Sequence, residues 1–179
     1  YNLVMTFMIT LVAIIQSFAI SLGVGSSTLA ILNFFGAIAD GTIDPTERRM
    51  MGIVYIVLRV AMVAILISTL FLIVVEQVNN PSLEMSAFSF GQLTTLGVLF
   101  LNAVLMTLHW MPSTFGPAIQ AGSWYTLGTM AALFALDLTN FTYFEFILGY
   151  LTWIILAVGI VNGTMAIMKA KREEDSLSN

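Results

Sequence analysis

The stretch Asp40-Gly41-Thr42-Ile43-Asp44-Pro45-Thr46-Glu47-Arg48-Arg49-Met50-Met51, continued as far as Arg59, decides how the chain is read. It is the most charged segment between the termini, and it parts two long apolar runs. Leu3 to Ile38, on its N-terminal side, carries no formal charge. Met50 to Val75, on its C-terminal side, carries only Arg59. About 20 apolar residues cross a bilayer. The first run, at about 1.5 Å per residue, makes roughly 54 Å of helix. Both are membrane spans by length, and the charged stretch is the loop between them.

Inside that stretch, Asp40-Gly41 is a turn signal. Asp44-Pro45-Thr46-Glu47 reads as a helix start, with Asp at the N-cap, Pro at the first helical position and Glu two positions further on. Asp40, Gly41, Ile43 and Glu47 also match the back half of a calcium-binding loop. Gly36 and Ile38 stand where the first carboxylates of such a loop are needed, so capping is the better account of these residues.

Composition agrees with spans. The 179 residues are 59% hydrophobic and only 9% charged, and the mean hydropathy is +0.96. Soluble domains carry about 25% charged residues, so a water-facing globule is excluded. No basic, aromatic-interleaved surface points to nucleic acid. The absence of Cys rules out disulfides, thiolate metal sites and a thiol nucleophile. The apolar start lacks a basic leader region and a small-residue cleavage site, and is read as span rather than signal peptide.

Working outward, the expected spans are about 3–38, 46–75, 88–111, 117–136 and 143–168. The breaks between them are Asn79-Asn80-Pro81, Pro112 to Pro117, and Asp137 to Thr142. Thr142-Tyr143-Phe144-Glu145 is a capping box. Residues 1–168 form one transmembrane domain, and 169–179 a cytoplasmic, polar and disordered tail. Arg48, Arg49, Lys169, Lys171 and Arg172 fall on one side of such an arrangement. Basic residues collect in the cytoplasm, which sets the N-terminus outside and the C-terminus inside, and a plasma (inner) membrane is expected. The fold class is an all-α polytopic bundle. Leu22-Gly23-Val24-Gly25-Ser26-Ser27 loosens the first span and reads either as a break or as a close helix contact. Leu32-Asn33 followed by Tyr55, and Leu101-Asn102 followed by Tyr125, hint at two parallel repeats of a helical hairpin.

Arg59 is the costly residue. It lies about 15 Å along the helix from Arg48–Arg49, which is deep for a side chain reaching back to water. An Arg at the centre of a span costs at least about 2.5 kcal/mol. It is expected to face protein or a wet cavity, either as a structural clamp or as a site for an anion. Asn33, Asn102, Gln120, Tyr55 and Tyr125 are the polar groups expected around it. Met106, His109 and Met111 form a second constellation, suited to a soft metal or haem iron, although Met is also an apolar filler. The patterns of known hydrolases, metalloproteases and phosphate loops are missing. No enzyme and no resident cofactor are expected.

Three functions follow as expectations. The first is a small transporter or channel component passing a small polar or anionic solute by Arg59. The second is a non-catalytic subunit of a larger membrane complex. The third is a metal- or haem-handling protein using His109. The expected partners are the lipid bilayer, a small solute or ion, and other membrane chains in a homo-oligomer or larger complex.

Overall fold

The computed structural model describes residues 3–40, 44–79, 85–112 and 115–178. Among these there are five helices and no strands: α1 (Leu3–Asp40), α2 (Pro45–Asn79), α3 (Ala87–Thr107), α4 (Gly116–Ala135) and α5 (Tyr143–Ser178). The chain is an all-helical bundle. Leu3–Gly36, Pro45–Asn79, Ala87–Thr107 and Tyr143–Glu174 are each long and apolar enough to cross a membrane, which marks an integral membrane protein.

The helix starts follow the caps. Asp44 Oδ1 accepts from the Glu47 amide at 2.7 Å, and Glu47 Oε2 accepts from the Asp44 amide at 3.0 Å. Thr142 and Glu145 make the same reciprocal pair, at 3.2 and 2.7 Å. Each box satisfies two amides that the first helical turn leaves without carbonyl partners. Ser86, which the sequence reading passed over, caps α3 by accepting from the Ser89 amide at 3.1 Å. The turn at Gly41 to Ile43, the Asn80-Pro81 signal and Ser113-Thr114 lie outside the described residues.

Three helix ends differ from expectation, the first being α2, which runs past Val75 to Asn79. The third span stops at Thr107, not at Met111. His109, at φ 58°, takes the left-handed conformation. The His109 amide then donates to Met106 O at 3.1 Å, and the Trp110 amide to Leu105 O at 2.9 Å. This is the two-bond helix stop that Gly usually closes, here made by a residue that gives no such signal. Asp137 closes α4 in the same way, at φ 57°. At the other extreme, α5 does not stop at Met168 but runs on to Ser178. Lys, Ala, Arg and Glu are good helix formers, and no Gly or Pro follows Gly163 to break the turn.

The Gly23–Ser27 region is unbroken helix. Its small residues serve a close approach. Trp124 of α4 is fully buried, and a β-carbon on Gly23 would overlap its ring. Ser27 and Thr28 return their hydroxyls to the Val24 carbonyl, at 3.0 and 2.8 Å, so neither is left unpaired in hydrocarbon.

The core gathers Ala19 and Ile20 of α1, Ala61, Met62 and Ile65 of α2, Leu96 and Leu99 of α3, and Trp124 and Leu127 of α4. The α4 helix packs against α1, α3 and α5 and sits at the centre. Its length of 20 residues suits a span, but its composition does not qualify as one by hydropathy. A central helix meets protein rather than lipid, so it can carry Gln120, Ser123 and Thr126 buried. Ser123 shares a hydrogen with Tyr150 at 2.8 Å, and the Trp153 indole donates to Gly122 O at 3.0 Å.

Candidate functional site

Helices α2 and α3 are the least intimately packed pair in contact. An open groove of about 290 Å³ lies there, backed by Gln120 of α4. Tyr55, Leu58, Arg59 and Met62 of α2 form one wall. Ala103, Met106, Thr107 and His109 form the other. The groove therefore gathers Arg59, Tyr55 and Gln120 with Met106 and His109, which the sequence had assigned to two separate constellations.

The groove sets Arg59 beside the last turns of α3. It shares the groove with Thr107 and His109, at the very end of α3. The α3 helix has 21 residues, about 32 Å, close to the roughly 30 Å of a hydrocarbon core. The part of α2 before Tyr55 adds about 15 Å of helix beyond that level. Counting from Arg48–Arg49 placed Arg59 deep because α2 was taken to begin at the membrane edge. Set against α3, it lies level with that helix's last turns. Arg59 is exposed, and it makes no hydrogen bond or ion pair with another described residue.

Behind the groove lies a buried amide pair. Asn102 is 2% exposed. Its Nδ2 donates to Gln120 Oε1 at 3.0 Å and to Gly116 O at 2.9 Å. The Gln120 amide nitrogen approaches Met62 Sδ at 3.5 Å, and Met106 Sδ accepts from Asn102 Nδ2 at 3.5 Å. Asn102 Oδ1 is buried without a hydrogen-bond partner among the described residues. Gln120 is thus held by its oxygen from behind, while its nitrogen faces the sulfur-lined side.

Tyr55, Leu58, Met106 and Gln120 also line a small pocket between α1, α2 and α4, with Ser27 and Phe34 on its far side. Its volume of about 40 Å³ exceeds the roughly 10–15 Å³ needed for one water. These four side chains form a partition between the open groove and this inner pocket.

Two expected members lie elsewhere. Tyr125 bonds to Thr28 of α1 at 2.6 Å and meets Trp153 edge-on. Asn33 is half-buried on α1 and lines neither the groove nor the inner pocket. Met111 packs beside Gly116 and is not part of the groove wall. Among the described residues, no three His, Cys, Asp or Glu side chains gather as a metal site. Leu58, Met62, Ala103 and Thr107 were not anticipated as lining. Tyr55, Leu58, Arg59 and Met62 recur at helical spacing, which is the signal that could have found that wall.

Comparison with protein-family models, with curated proteins and with solved structures returns no match for this chain.

Proposed function

We propose that the chain is a small transporter or channel component whose α2–α3 groove receives a small polar or anionic solute at Arg59. One observation carries this: a guanidinium with no acidic partner among the described residues shares a groove with a phenol, an amide and an imidazole. A planar fork of donors suits carboxylate and phosphate oxygens. Tyr55 and the Gln120 nitrogen add donors beside it, and the partition toward the inner pocket marks the direction of passage.

In this proposal residues 1–168 form one domain of five spans in the plasma (inner) membrane, and 169–179 end the chain in the cytoplasm. The α4 helix crosses too, shielded from lipid by its neighbours. The N-terminus is outside, because Arg48, Arg49, Lys169, Lys171 and Arg172 then share the cytoplasmic side. The groove opens at that side. No catalytic step is assigned to it.

The test is uptake by proteoliposomes of radiolabelled acetate, succinate and inorganic phosphate. Flux of at least one anion is expected. Arg59→Ala should lower it by tenfold or more without moving the thermal unfolding midpoint, and Arg59→Lys should retain part of it. The unpaired state of Arg59 also fits a second reading, in which an acidic residue of another subunit completes it. Absence of flux for all three anions, with a partner co-purifying in mild detergent, would establish that reading instead.

A further inference from the structure

A second and larger groove, of about 460 Å³, runs between α4 and α5. Its volume falls in the ordinary range for small-molecule sites, about 300–1,000 Å³. One wall is aromatic: Phe146, Tyr150 and Trp153 recur along a single face of α5, and Phe141 continues the wall at its end. Phe146 stacks on Tyr150 with ring centres 5.7 Å apart, and on Phe141 at 6.3 Å.

The polar handles of these rings point away from the groove. The Tyr150 hydroxyl is paired with Ser123 at 2.8 Å, and the Trp153 indole donates to Gly122 O at 3.0 Å. Thr126 and Thr129, on the facing wall, donate to the Gly122 and Tyr125 carbonyls of their own helix, both at 2.9 Å. No side-chain donor of this set remains for an anion. Gly149 keeps the floor open, since a β-carbon there would meet nothing within 4 Å.

The single charge on the lining is Glu145. Its Oε2 takes both hydrogen bonds from Thr142, at 2.7 and 2.9 Å. Its Oε1 makes none with a described residue. Aromatic faces carry negative potential and attract cations, most of all where water is scarce. A carboxylate oxygen at one end of an aromatic, donor-poor groove selects the same sign of charge.

We propose that the α4–α5 groove is a binding site for lipophilic organic cations. The charged centre lies at the Glu145 end beside the Phe146 ring, and the hydrocarbon body lies against Tyr150, Trp153, Met130 and Leu133. The site is separate from the Arg59 groove, shares no lining residue with it, and does not depend on the transport proposal.

Tetraphenylphosphonium and tetraphenylborate make the test. They match in shape and oppose in charge, so apolar partitioning alone cannot tell them apart by sign. Binding of radiolabelled tetraphenylphosphonium is measured by equilibrium dialysis against purified protein in a non-ionic detergent, with protein-free micelles subtracted. Saturable binding of one cation per chain is expected, and radiolabelled tetraphenylborate, dialysed separately, should show no saturable binding. Glu145→Gln keeps the capping box, which accepts Gln as well as Glu, and removes only the charge. It should weaken binding about tenfold with the unfolding midpoint unchanged. Trp153→Leu should weaken it as well. Equal saturable binding of the borate, cation binding no greater than to empty micelles, or an unchanged affinity in Glu145→Gln would each overturn the proposal.

Discussion

The two helical hairpins, α1–α2 and α3–α4, use the same kinds of residue in opposite ways. The first is long, with helices of 38 and 35 residues, and much of its surface faces outward. Only 11% of the most apolar window of α1 is buried. The second is short, with helices of 21 and 20 residues, and α4 lies at the centre. Asn33 of the first hairpin is half-buried and without a hydrogen bond to a described residue, whereas Asn102 donates through its Nδ2 to both Gln120 and Gly116. Tyr55 lines an open groove, whereas Tyr125 is tied to Thr28. Both hairpins wall the groove, but the buried amide pair behind it belongs to the second alone. The most buried helix, α4, is the one that hydropathy does not mark as a span, whereas α2 is both the most apolar of the four candidates and the most buried among them.

The docking of the two hairpins is the point where this division can be broken most severely. Gly23→Val should cost about 2–3 kcal/mol, because the added carbons meet the rigid, fully buried Trp124 ring. Gly25, two residues on, has nothing within 4 Å of its β-carbon position. Gly25→Ala should be neutral or stabilise by a few tenths of a kcal/mol, since Ala is the better helix former. Thermal unfolding in detergent, followed by circular dichroism, separates the two. Equal losses would show that helix flexibility at the Gly pair, rather than the Trp124 contact, sets the cost.

The legible part of this architecture was the part written in local chemistry. Asp44–Glu47 and Thr142–Glu145 announce their caps within four residues, and an uncharged run of the length of α1 admits no other reading. What stayed hidden depends on how helices of unequal length are set side by side. Arg59 was placed by counting along α2 alone, and only the structure sets it beside the last turns of α3. The end of α3 was misplaced because His109 adopts a backbone shape usually signalled by Gly. Gln120, Met106, His109 and Arg59 share one groove only through the pairing of α2 with α3 and α4, which no single helix encodes. The α4–α5 groove did leave a trace. Phe146, Tyr150 and Trp153 stand four and three residues apart, on one helical face, but an aromatic stripe of that kind reads equally well as packing.

A milder challenge compares the two asparagines directly. Asn102→Ala removes a donor from Gln120 Oε1 and from Gly116 O, and should destabilise by about 1 kcal/mol, in the usual range for hydrogen bonds between membrane helices. Asn33→Ala should change stability by less than about 0.5 kcal/mol, as expected where no partner is lost. Unfolding in mixed micelles of increasing sodium dodecyl sulfate measures both. Similar losses would restore the equivalence of the two hairpins.

The smallest effect concerns the turn that closes the short hairpin. His109 holds a left-handed backbone that L-residues other than Gly adopt only at a cost. His109→Gly removes that cost, whereas His109→Ala keeps it and removes the imidazole. If the residue is only a helix stop, the Gly variant should be more stable than wild type by a few tenths to about 1 kcal/mol, and the Ala variant no more stable than wild type. If Gly is instead the less stable, the imidazole contributes more to the folded chain than its backbone strain takes away. That would make His109 a working part of the groove wall beside Arg59, tolerated in a shape that Gly would adopt freely.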